Sequence, residues 1–399
     1  MKRSSGRILT THVGSLPRPG DLAAMIMSGA QTGSPEQRAA YEARVASAVK
    51  EAVDKQIAAG IDIVSDGEQG KIGFVNYVKD RLNGFGGQAT PFEAADLMEF
   101  PGLGAGAASA AAAAMAAGAR EAGAEAEPPP PPPPNWTPAC NGPISYGAHD
   151  AYSKDIANFK AALEGKKYQE AFICSITPGN VAQVLANQYY PSRTAYLRAL
   201  GSAMREEYRA IADAGFLLQL DACDLAMDRH INFKSNTVAE FRDVITENVE
   251  MINDASEGIP AEKIRLHLCW GNYQGPHHRD VELKDILDIV LGVRCGGVSF
   301  EAANPRHAHE WKVWRQVKVP QDLVLIPGVI DTNSTYIEHP EVVADRIKNF
   351  ASVVGPERVT ASTDCGFGTF VYLTVPEQLA YAKLKTLAEG ARLASKDLF

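Results

Sequence analysis

His267 and Cys269 sit two residues apart in the run IRLHLCWGNY, residues 264–273. On a strand, that spacing points both side chains the same way. An imidazole beside a thiol is half of a zinc site, which Cys, His or carboxylate ligands complete. Two later runs supply the other half: Glu301 ends the apolar stretch of GVSFEAAN, and Cys365 lies in the polar turn of VTASTDCG. The expected cofactor is Zn2+ on His267, Cys269, Glu301 and Cys365. Cys174, Cys223 and Cys295 read instead as small buried hydrophobes. His277, His278, His307 and His309 read as polar surface in loops or helix starts.

Such a ligand set favours sulfur over water. A free alkyl thiol has a pKa near 8.5 and is mostly protonated at neutral pH, whereas zinc coordination deprotonates it. Two thiolates and a carboxylate bring three negative charges to a dication, so the ion is a poor acid for water and a bound thiolate stays nucleophilic. A closed structural site is the competing reading. Glu301 argues against it, because an incoming thiolate displaces a carboxylate easily.

The elements that must position these residues alternate. Short β-branched runs (RILTTHVGS, IDIVSDGE, NGPISYG, EAFICSIT, FLLQLDAC, IRLHLCWG, GVSFEAAN, LVLIPGVID and VTASTDCG) are separated by amphipathic stretches, among them residues 37–58, 196–214, 237–255, 283–293 and 341–353. Alternating βα units predict a parallel sheet covered by helices. Nine strand candidates suit a (β/α)8 TIM barrel with one to spare. Many runs turn polar at their C-terminal end, at Ser15, Glu68, Asp221, Cys269, Glu301, Asp331 and Cys365, which is where a barrel builds its active site. No G-x-G-x-x-G follows the first run, which disfavours an open dinucleotide-binding sheet.

Residues 102–134, GLGAGAASAAAAAMAAGAREAGAEAEPPPPPPP, stand apart as an Ala/Gly-rich segment ending in seven prolines. We read this as a surface insertion in a single domain spanning 1–399, because the strand series continues on both sides. The chain has 399 residues, 45% hydrophobic and 22% charged, with a formal net charge of -9. That balance excludes a phosphate-binding surface built on clustered cations, so no nucleic-acid partner is expected. No run approaches the roughly 18–20 apolar residues of a membrane span. The start, MKRSSGRILTTHVGS, carries basic residues without an apolar signal core and reads as uncleaved. Six cysteines without the dense spacing of secreted scaffolds suit a cytoplasmic, reducing compartment.

In order and context, IRLHLCWGNY, GVSFEAANPR, LIPGVIDT and TASTDCGFGT resemble the catalytic domain of cobalamin-independent methionine synthase. THVGSLPRP, IVSDGEQG and LLQLDACDL resemble its thiol-substrate motifs, and the epoxyalkane:coenzyme M transferases share the barrel and zinc motifs. The likeness covers nearly the whole chain except the insertion. It implies the same zinc ligands, with Ser15 holding the carboxylate of an amino-acid thiol such as homocysteine and Glu68 and Asp221 pairing with its ammonium. Asp364, beside Cys365, is the acceptor expected to orient a ligand.

Departures fall on the donor side. The family's acid histidine, in a D-I-H-S turn, is replaced by Asn333 in IDTNSTY, and an amide cannot protonate a leaving nitrogen. The D-E-P motif becomes Asp221-Ala222-Cys223, and YGAHD follows NGPIS where the family has a pterin-flanking tryptophan. The expectation is methyl transfer to a zinc-activated thiolate, from a methylcorrinoid, another activated methyl compound or a donor partner protein. Opening of an epoxide by a zinc-bound coenzyme M-like thiolate is the alternative, with Arg18 or Arg306 as sulfonate partners. A non-catalytic zinc scaffold using the Ala/Pro arm is the third.

Overall fold

The computed structural model describes residues 1–88, 93–100, 102–103, 137–371 and 375–399. Of the low-complexity segment, residues 104–134 lie outside these. Ten strands are described: β1 Leu9–Thr10, β2 Ile63–Ser65, β3 Leu82–Phe85, β4 Cys140–Tyr146, β5 Glu170–Ile176, β6 Leu217–Asp221, β7 Ile264–Leu268, β8 Gly297–Phe300, β9 Val324–Ile330 and β10 Thr360–Thr363. Eight form one parallel sheet in the order β1-β10-β9-β8-β7-β6-β5-β2. Its two ends meet: Asp62 N donates to Thr10 O at 3.1 Å, Thr11 Oγ1 to Ile63 O at 3.0 Å and Ser65 Oγ to Gly14 O at 3.1 Å. The result is a near-closed (β/α)8 barrel.

The strand to spare is NGPISYG. As β4 it pairs antiparallel with β3, outside the barrel. Its interior side chains alternate between exposed and half-buried, whereas β6, β7, β8, β9 and β10 are buried at every position. Barrel strands lie between the helices and the packed interior, so they read as continuous apolar runs. A run carrying Gly142 and Pro143 belongs at an edge.

Helices cover the outside. Pro35–Ala58 begins at a capping box between Ser34 and Gln37, and Val238–Ala255 at one between Thr237 and Glu240. Arg193–Asp213 and Pro340–Val354 fall where the periodicity predicts them. The stretch 283–293 does not form one helix. It breaks into a 3-10 turn, Leu283–Asp285, and a four-residue helix, Leu287–Val290, as its β-branched residues run into Gly292.

Polar groups inside the barrel set the ends of the first strands. Arg265 stacks on Phe172 at 4.0 Å and donates to Thr11 Oγ1 at 3.0 Å and His12 O at 2.9 Å. His12 Nδ1 accepts from Gly14 N at 3.2 Å, and its Nε2 meets Gln56 Oε1 at 2.8 Å. Burial drives its pKa down to about 4, so the ring stays neutral. These bonds fix the backbone leading to Ser15.

Candidate metal centre

Cys269 is the hub. It follows β7, and its sulfur belongs to two groups of ligand atoms, each lying within 4.8 Å of one another. One is Cys223, His267 and Cys269, and the other is Cys269, Glu301 and Cys365. All five residues are buried. Cys223 is buried, as expected of a small hydrophobe, and the turn after β6 also brings its sulfur to 2.9 Å from that of Cys269. The altered D-E-P motif was the available signal, but one-dimensional spacing does not show where a turn residue points.

His267 is held from behind. Its Nδ1 lies 3.0 Å from Asp221 Oδ1, which also accepts from Gln219 Nε2 at 2.8 Å. The other nitrogen, Nε2, is buried without a hydrogen-bond partner. Burial opposes charge on the ring, but the Cys269 thiolate and Asp221 outweigh it and raise its pKa to about 10. Cys269 is pulled well below the usual thiol range by the Cys223 and Cys365 thiols, with His267 adding to the effect. An orphaned imidazole nitrogen backed by a carboxylate, three thiols and a carboxylate fit a Zn2+ ion in donor chemistry.

Glu301 ends β8. Its Oε1 accepts from Trp270 N at 2.7 Å and lies 3.9 Å from Cys365 Sγ, and its Oε2 accepts from Asn304 Nδ2 at 3.3 Å. Burial raises its pKa to about 7. The next three residues are gripped by Asp364: Oδ1 accepts from Ala302 N at 2.8 Å and Ala303 N at 2.9 Å, and Oδ2 from Asn304 N at 2.7 Å. Asp364 thus holds the loop that carries Glu301. It can sit there because Gly328 has no side chain; a Cβ would lie 2.3 Å from its Oδ1.

A cavity of about 270 Å3 opens beside the thiols. Ser15, Glu68, Asp221, Cys223, His267, Cys269 and Cys365 line it, together with Phe74, Met227, Tyr273 and Phe370. Among the described residues, no lysine or arginine lines it. Glu68 has a backbone φ of 55°, in the left-handed region, and follows an Asx turn in which its N donates to Asp66 Oδ1 at 3.0 Å. Its Oε2 is buried without a hydrogen bond, and Lys71 Nζ lies 4.0 Å away. Desolvation raises its pKa. Arg18 donates to Glu68 O and Gly368 O, both at 2.9 Å, and so ties two loops together. Asn333 is not among the lining residues; its N donates to Asp331 Oδ1 at 2.9 Å and its O accepts from Gln274 at 2.9 Å.

Two histidines expected at the surface are buried. His277 and His307 both face Asp280 Oδ2 at 2.9 Å, and His307 Nδ1 faces Glu310 Oε2 at 2.9 Å. His307 also stacks on Trp270 at 4.0 Å, directly after Cys269. The i,i+3 pairs His277/Asp280 and His307/Glu310 were visible in the sequence but look the same as exposed loop pairs.

A family model described as the catalytic domain of the cobalamin-independent synthase matches residues 8–94 and 143–391, leaving out the stretch that holds the low-complexity segment. The methionine synthase of Sulfurisphaera tokodaii is 26% identical over 234 residues, covering 58% of this chain and 59% of that protein. That of Thermococcus kodakarensis is 26% identical over 222 residues, covering 55% and 56%. The matched region is thus less than two thirds of these relatives' length. The fold is similar to a B12-independent methionine synthase from Shewanella sp. W3-18-1, solved with selenomethionine, at a TM-score of 0.68 and 19% identity over 98% of this chain and 99% of that one. A putative vitamin-B12 independent methionine synthase from Listeria monocytogenes gives 0.59 and 18%, over 98% and 99%.

Proposed function

Because the chain belongs to the cobalamin-independent synthase catalytic-domain family, we propose that it is a zinc-dependent thiol S-alkyltransferase, transferring a methyl group to an amino-acid thiol such as homocysteine to give methionine. The observation that carries this reading is the cavity in which the thiols and His267 adjoin two buried carboxylates and Ser15. Zinc bound there supplies the Lewis acidity that keeps an acceptor thiol deprotonated at neutral pH.

The protein's own groups do the rest. Glu68 and Asp221 hold the acceptor's ammonium, and the Ser15 hydroxyl donates to its carboxylate. Asp221 also fixes the imidazole, so acceptor binding and the metal ligand share one carboxylate. Asp364 keeps the Glu301 loop in place. Asn333 offers no acid, which favours a donor whose leaving group departs without a proton, such as a methylcorrinoid or another activated methyl compound. The methyl carbon then bonds to sulfur while the pair of the breaking bond stays with the donor. A donor partner protein is compatible with this scheme.

Epoxide opening by a coenzyme M-like thiolate is less well supported. Its sulfonate would meet two carboxylates, and Arg18 is already engaged with backbone carbonyls. The test is a screen of homocysteine, coenzyme M and glutathione against the cobalt-substituted protein, reading the thiolate-to-metal absorption. Homocysteine is expected to perturb it. A response to coenzyme M alone would overturn the acceptor assignment, and silence with all three would favour a zinc scaffold.

A further inference from the structure

The wall of the cavity beside the thiols is aromatic, and those rings are unused by the scheme above. Phe74 and Met227 pack against the buried cluster of Cys223, Cys269 and Cys365. Phe370 meets Phe74 edge to face at 5.7 Å, and Tyr273 lines the same cavity. We propose that these rings form a cation subsite and that the methyl donor is a small methylsulfonium compound. This rests on the reading of the protein as a thiol methyltransferase and names the donor which that reading leaves open.

Three observations carry it. First, Tyr273 is held so that one ring face is left for a ligand. Its hydroxyl donates to the fully buried Asp96 at 2.7 Å, which enriches the ring in electrons. Its two edges lie against Gly271 and Gly275, where an added Cβ would collide with ring carbons. One face stacks on His277 at 4.5 Å, and Asp280 meets that imidazole at 2.9 Å and balances its charge. The opposite face is what the ring offers the cavity it lines. A cation within about 6 Å of such a face is attracted by the ring quadrupole, most strongly where water is excluded. Second, the charges suit a cation. Glu68 and Asp221 line the cavity, and among the described residues no lysine or arginine does. A donor that arrives neutral leaves as an anion unless a proton follows it, and Asn333 supplies none. A methylsulfonium leaves as a neutral thioether: its S–CH3 bond breaks, the electron pair stays on the donor sulfur, and the carbon bonds to the acceptor thiolate. No proton or further reactant is needed. Third, the cavity is small. At about 270 Å3 it lies below the range of roughly 300–1,000 Å3 that encloses drug-sized ligands. An amino-acid thiol with a small donor matches it, whereas a corrinoid or a folate is too large to be enclosed.

Calorimetry on the zinc-loaded full chain tests the subsite by binding alone, with L-2-aminobutyrate filling the acceptor's ammonium and carboxylate positions. Two probes of one shape are compared: (2-hydroxyethyl)dimethylsulfonium and the uncharged 3-methylbutan-1-ol. The sulfonium is expected to bind at least about tenfold more tightly, as a desolvated cation–π contact allows. Tyr273→Leu should cut that preference at least about threefold, while Tyr273→Phe should keep most of it. Equal binding of the two probes by the unaltered protein, or a preference untouched by Tyr273→Leu, would overturn the proposal. The second readout is transfer of a deuterated methyl group from the same sulfonium to homocysteine, followed as labelled methionine by mass spectrometry. Labelled methionine is expected. Methionine formed from a methylcorrinoid or a methylated folate alone would refute the donor while leaving the methyltransferase reading intact. No methionine from any of the three would count against both.

Discussion

The carboxylate of Asp221 touches His267 Nδ1 at 3.0 Å and also lines the cavity. One side chain therefore orients a proposed metal ligand and presents charge to a proposed substrate. Removing it should be felt on both sides. In Asp221→Ala, zinc affinity should fall roughly 10–100-fold, as for the loss of other hydrogen-bonded partners of ligating histidines. Competition with a chromophoric chelator measures this, and an unaltered affinity would refute the coupling.

Glu68 has a buried carboxylate oxygen with no hydrogen bond. If it receives an ammonium, Glu68→Gln should raise KM for homocysteine about 10- to 100-fold, the worth of a hydrogen bond to a charged group. A thiol of the same length lacking the amino group should bind equally well to both proteins. Equal losses for the two thiols would show that Glu68 shapes the cavity instead.

Asp364 collects three backbone N–H groups from the Glu301 loop. Asp364→Ala leaves them buried and unpaired, at a cost of about 1–3 kcal/mol each before relaxation. We expect a loss of at least about 3 kcal/mol in urea unfolding, together with weaker zinc binding. A stability change below about 0.5 kcal/mol, typical of a surface substitution, would contradict this.

The buried His277/Asp280/His307/Glu310 cluster should shape the alkaline limb of stability. Burial alone would lower the histidines, but their hydrogen bonds with Asp280 lead the opposing effects and raise His277 to about 9 and His307 to about 10. A raised folded pKa stabilises fully below the unfolded value near 6.5, and the contribution is lost as pH climbs toward 10. Asp280 is held below its ordinary range by the same histidines, so its share is present at neutral pH and is lost on acidification. Tm should therefore decline from pH 6.5 to 10, and His307→Gln should flatten that decline. Parallel curves would exclude the cluster as the source.

The barrel was legible because its strands are apolar on both faces and end in polar residues, a pattern that needs no tertiary knowledge. NGPISYG passed as a ninth strand on its β-branched and aromatic content, although Pro143 marked it for an edge. His267 and Cys269 stood out by their spacing on an apolar run, Glu301 by closing one, and Cys365 by its place in a polar turn. Cys223 did not: it lies two residues past its strand in a 3-10 turn, and only the turn's path brings it to Cys269. His277 and His307 were hidden for a related reason, since each is covered only where its loop folds back, over Tyr273 and Trp270 respectively.

Glu68 faces the cavity from a left-handed backbone. Conformations of that kind cost about 1–3 kcal/mol for residues other than glycine. If Glu68 receives the acceptor's ammonium as proposed, that cost narrows the routes by which this lineage could change its acceptor. Asparagine, aspartate and glycine tolerate the position, whereas valine, isoleucine and threonine do not. A relative that has abandoned ammonium recognition is thus expected to carry a small polar residue or glycine here, and an apolar β-branched one only where the loop itself has been rebuilt.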